Sequence, residues 1–77
     1  MRKRDTARAK HVLARNLQRM RRERQWSQHD LADRSRVRQA LISALEGASA
    51  NPTLESLEKI ALALDADIAD LFAAPRA

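Results

Sequence analysis

Seventy-seven residues with no cysteine, one tryptophan, one phenylalanine and one glycine make one domain with a small packed core, closed by neither disulfide nor thiolate metal site. The formal net charge of +5 is unevenly placed: residues 1–38 hold 13 Lys and Arg against 4 Asp and Glu, residues 39–77 hold 2 against 6. No apolar run approaches a membrane span, no apolar stretch follows the basic start Met1–Arg4 as a secretory signal requires, and no Gly-rich phosphate loop or carboxylate–histidine cluster offers an enzyme's chemistry.

Residues 1–8 are basic and small, and are expected to form an arm without fixed structure. Arg2, Lys3, Arg4 and Arg8 would reach phosphates if the partner is a duplex, and would otherwise make a solubilising tail. From about Ala9 to Arg24, Val12, Leu13, Leu17 and Met20 recur at helical steps and form one inward stripe. Lys10, Arg15, Arg19, Arg22 and Arg24 fall between them, on outward faces. The stripe is too narrow for a helix lying on a membrane, so core packing is expected.

Ser27 is placed to cap a second helix over Gln28–Ser35, with Asp30 three residues on as the return half of a capping box. Trp26 and Leu31 occupy the positions of a hydrophobic staple. A tight corner containing Val37 leads to a third helix, about Gln39 to Glu46. Its Ile42 and Leu45, with Ala40 or Leu41, point inward, while Gln28, Arg38, Gln39 and Ser43 stay outside. Gly47 suits a left-handed helix end. Asn51-Pro52-Thr53 closes a loop, and Thr53 caps a fourth helix, about Leu54 to Leu64. Leu54, Leu57, Ile60, Ala61 and Leu64 share its inner face, with Leu62 and Ala63 off it. Asp67 caps a last short helix bearing Ile68, Leu71 and Phe72, so the domain spans 9–73 and 74–77 is a tail. His11 and His29 lack ligand-spaced partners; neither metal nor cofactor is expected.

The succession S-Q-x-x-L-A, V, I-S-x-L-E-x-G, N-P-T-L-x-x-L and L-F is carried by Ser27, Gln28, Leu31, Ala32, Val37, Ile42, Ser43, Leu45, Glu46, Gly47, Asn51, Pro52, Thr53, Leu54, Leu57, Leu71 and Phe72. It resembles the phage repressor and Cro family, also called the XRE family, over about residues 12–73. The resemblance implies an all-α, five-helix, lambda-repressor-like DNA-binding domain whose second and third helices are the helix-turn-helix. It implies that Arg38, Gln39, Ala40 and Ser43 face the bases of a major groove, with Ala44 at the margin. Their chemistry fits: arginine bridges guanine O6 and N7, glutamine bridges adenine N6 and N7, and alanine touches a thymine methyl. It places Ser27, Gln28, Ser49 and Asn51 near phosphates, and pairs Arg21 with Glu46 as a structural salt bridge. It also implies a two-fold dimer contact near the C-terminal end, for which Leu62, Ile68, Leu71 and Phe72 are the candidates; alternatively Leu71 and Phe72 close the monomer core.

Departures from the family pattern are informative. Gln25, Arg36 and Asp65 stand where glycine is usual, so either they adopt positive φ at about 1 kcal/mol each or the turns differ. Ala44 is shorter than the usual polar residue, Arg38 replaces a Ser or Thr cap, and the loop after the third helix has no basic residue. The expected function is a sequence-specific regulator that binds double-stranded DNA, of repressor or controller type, acting as a homodimer on a palindromic operator, located in the cytoplasm at the nucleoid. The alternative is an antitoxin-like module that binds a protein partner and regulates its own gene; the chain's end shortly after the fifth helix counts against it. RNA binding is less expected because stacking aromatics are missing.

Overall fold

The computed structural model describes residues 3–74, which fold into five helices: α1 (Lys3–Glu23), α2 (Gln28–Ser35), α3 (Gln39–Glu46), α4 (Leu54–Ala63) and α5 (Ile68–Leu71). No glycine or proline interrupts the first two dozen residues, and α1 runs on through Lys3–Arg8, a segment whose basic, small composition predicts an arm without fixed structure. Met1 and Arg2 lie outside the described residues, as do 75–77 of the expected tail.

The helical stripes meet in one core. Leu13, Leu17 and Met20 of α1 join Leu31 and Ala32 of α2, Val37 of the corner, Ile42 and Leu45 of α3, Leu57, Ile60 and Ala61 of α4, Leu64, and Leu71 of α5. α1 packs on α3 and α5, α2 packs on α3 and α4, and α4 packs on α5. Leu17, Leu31, Ile42, Ile60, Leu64 and Leu71 are fully enclosed, each contributing on the order of 1.5–3 kcal/mol of burial. Three assignments change. Leu54, expected on the inner face, is 73% exposed in the first turn of α4. Leu71, grouped with the dimer candidates, belongs wholly to the core and has no surface to offer a partner. Asn16, which the apolar stripe passed over, is buried, and its Nδ2 donates to the carbonyls of Leu71 and Ala73 at 2.9 Å each. It thereby satisfies carbonyls at the end of α5 that the helix itself leaves unpaired.

The ends of α1 to α4 share one device. Gln25, Arg36, Ala48 and Asp65 all have positive φ, between 56° and 61°. After each, the next amide reaches back to a carbonyl five residues earlier: Trp26 to Arg21, Val37 to Ala32, Ser49 to Ala44 and Ala66 to Ala61. This is the Schellman termination. The three usual glycine sites thus keep their backbone shape without glycine. Gly47, expected to take the left-handed position after α3, has φ −89° and ψ 5°; Ala48 takes it instead.

Candidate nucleic-acid interface

Ser27 starts α2 as a complete capping box: its Oγ accepts from the Asp30 amide at 2.9 Å, and Asp30 Oδ2 accepts from the Ser27 amide at 2.8 Å. The hydrogen bonds from Ser27, backbone first, hold the Asp30 carboxyl below its ordinary range. Trp26 precedes the cap, half-buried against the core, with the Arg34 guanidinium 4.4 Å from its ring centroid. α2 ends at Arg36, Val37 plugs the corner, and α3 begins.

Arg38 sits at the N-cap of α3 in an extended conformation, φ −61° and ψ 142°, and makes no side-chain cap bond. Its guanidinium is therefore not committed to the helix start. Arg38, Gln39, Ala40 and Ser43 are all exposed, Ala44 is half-buried, and Ile42, Leu45 and Glu46 are buried on the opposite side. The helical period puts Gln39, Ala40 and Ser43 on one outer face beside Arg38.

The inner side of α3 is held by charge as well as packing. Arg21 Nε and Nη2 donate to the two Glu46 oxygens at 2.7 and 2.9 Å, and Nη1 donates to the Trp26 carbonyl at 2.8 Å. Gln28 Nε2 donates to Glu46 Oε1 at 3.1 Å. One carboxylate thus joins α1, α2 and α3. The two side chains of the ion pair are only 11% and 3% exposed. Burial pushes the Glu46 carboxyl upward, but the bonds from Arg21 and Gln28 and the charges of Arg21 and Arg22 outweigh it and hold it below its ordinary range. The bond to Glu46 pushes Arg21 the other way, further up. Both stay charged at neutral pH.

The four residues placed near phosphates are not alike. Ser27 and Asn51 are exposed. Gln28 is half-buried with its amide spent on Glu46, and Ser49 donates its hydroxyl to the Ala44 carbonyl at 3.2 Å. Arg24, expected to face outward, instead donates to the carbonyls of Met20 and Leu64, both at 2.7 Å, and so ties the C-terminal ends of α1 and α4. The dimer candidates are also separated. Leu62 and Ile68 line a shallow groove with Leu54, whereas Phe72 lines a different depression against Leu13 and Pro52.

A family profile for the HTH_3 helix-turn-helix matches residues 17–71. Among solved structures, a hypothetical transcription factor NHTF from Neisseria is 33% identical with a TM-score of 0.83, over 87% of this chain and 77% of that one. An HTH_3 family transcriptional regulator from Vibrio cholerae is 28% identical with a TM-score of 0.82, over 87% of this chain and 38% of that one, so this chain spans well under half of its length. No curated protein matches. The profile runs from the middle of α1 to the end of α5, across every residue of the braced corner, and the chain belongs to the HTH_3, XRE-type, helix-turn-helix family.

Proposed function

We propose that the chain is a transcriptional regulator that reads double-stranded DNA sequence with the outer face of α3, acting as a homodimer on a palindromic operator. The observation that supports this most is the division of α3. Its inner face is fixed by Ile42, Leu45 and the Arg21–Glu46–Gln28 brace, while Arg38, Gln39, Ala40 and Ser43 are left to solvent. With its side chains an α-helix is about 10–12 Å across, which a major groove about 12 Å wide admits. Gln39 carries the chemistry for an adenine and Arg38 for a guanine. Arg36 and Arg38, both exposed, border one depression with Gln39 where α3 begins, and favour a polyanion there.

One such helix reads one half-site. Two copies related by a two-fold axis would set their recognition helices about 34 Å apart, one turn of the duplex. The apolar groove of Leu54, Leu62 and Ile68 is the surface we assign to that pairing.

Selection of bound duplexes from a random pool, at stated salt, tests the proposal. A palindromic consensus is expected. In anisotropy titrations Gln39→Ala should lose ~1–3 kcal/mol on the consensus, with discrimination relaxed at one base-pair position in each half-site. Equal binding of consensus and scrambled duplexes by the unaltered protein would overturn it.

A further inference from the structure

We infer that Lys10 of α1 is a DNA-phosphate contact, and that the N-terminal part of α1 and the loop leaving the recognition helix form a single backbone-binding site. The inference rests on the DNA-binding function proposed above. The loop, residues 47–53, contains no Lys or Arg. Ser49, its first hydroxyl, is turned back onto Ala44. Taken alone, the loop offers a duplex only neutral donors such as Asn51.

The fold supplies a cation beside it. Lys10 lines one surface depression with Ala50, Asn51 and Pro52, and a neighbouring one with Thr6, His11 and Ala48. It is half-buried and borders both depressions, and a lysine in such a place keeps its ammonium toward water. Among residues 6–74 no carboxylate lies within 4 Å of its Nζ. The extension of α1 toward Lys3 is what carries this segment past the loop. Lys10 thus provides from a rigid helix the charge that the loop lacks, next to the end of α3. Phosphate contacts at such a place fix register without reading sequence.

Arg8 provides an internal control. It is a cation only two residues away, yet it lines a different depression, with Val12, Arg15 and Arg19. A general effect of net charge would treat the two residues alike; a contact beside the loop would not.

The test is anisotropy on a labelled mixed-sequence duplex of about 30 bp and on the selected consensus, over potassium chloride from about 50 to about 200 mM. Lys10→Ala is expected to make the slope of log affinity against log salt shallower by about 0.9 per bound copy. It should weaken both duplexes by the same factor, with its melting temperature kept. Lys10→Arg should restore the slope, and Arg8→Ala should change it by clearly less. Equal slope changes for Lys10→Ala and Arg8→Ala would reduce the effect to net charge and overturn the inference. An unchanged slope for Lys10→Ala would overturn it too, while leaving the DNA-binding function standing. Failure of the unaltered protein to bind either duplex would overturn both together.

Discussion

Gly47 has φ −89°, a value open to any residue, while its neighbour Ala48 has φ 58°, where a β-carbon is crowded. The chain's one glycine therefore sits one place before the position that gains most from it. The cause lies in the ladder: Ser49 N–H bonds to Ala44 and Ala48 N–H to Leu45, which fixes the left-handed residue at 48. Ala48→Gly is expected to stabilise the protein by about 1 kcal/mol, roughly 4–8 °C in Tm for a domain this small. A β-carbon at Gly47 would meet the Ser43 carbonyl oxygen at 3.4 Å and that of Ala44 at 3.7 Å, ordinary contacts. Gly47→Ala should then gain about 0.4–1 kcal/mol by restricting the unfolded chain. Thermal melts followed by the single Trp26 read both effects, and a drop in Tm for Ala48→Gly would refute the strain. Gln25, Arg36 and Asp65 were legible as special because the family pattern puts glycine there. Ala48 was not, because an adjacent glycine already accounted for the turn.

Between elements, legibility followed sequence distance. The capping box, the staple and the corner depend on residues three to five apart, and the apolar periods located α2, α3 and α4 to within a residue or so. Asn16 and Arg24 donate to carbonyls 40 or more positions away, Leu64, Leu71 and Ala73, and a carbonyl leaves no mark in sequence. Asn16 does fall at the helical step between Leu13 and Met20, which is the one trace of its burial. The Arg21–Glu46 pair, 25 residues apart, came from the family resemblance and not from spacing. It makes a pH prediction. The Glu46 carboxyl is held down in the folded protein, so the stability it contributes is complete above the unfolded value of about 4.3 and is lost as pH falls through the lower folded value. Glu46→Gln should remove part of the acid limb of a urea-stability profile recorded below about pH 5. It should also cost ~3–5 kcal/mol at neutral pH, because Arg21 is left buried without its carboxylate. An acid limb as steep as that of the unaltered protein would locate the titrating group elsewhere.

At the scale of the molecule, the question is which apolar surface a second copy would cover. The sequence carries more apolar side chains near its C-terminal end than one helix face needs, but only the crossing of α4 and α5 sorts them. Leu71 closes the core, Phe72 turns toward Leu13 and Pro52, and Leu62 (81% exposed), Leu54 (73% exposed) and half-buried Ile68 share one groove. Glu55, Glu58 and Asp67 also border that groove, with Lys59 the one cation among them, so a partner copy must bury apolar surface while keeping these carboxylates at a wet rim. Leu62→Glu adds a charge at the centre of the patch and touches nothing in the monomer core. The proposed pairing predicts that the variant keeps its helical signal and moves from twice the chain mass to once in sedimentation equilibrium. Its affinity for a two-half-site duplex should fall toward that for a single half-site, while half-site affinity stays the same, since the two copies no longer assist each other through a shared interface. A variant that still sediments as a dimer would mean that copies pair through another face. The groove of Leu54, Leu62 and Ile68 would then be free for a different protein.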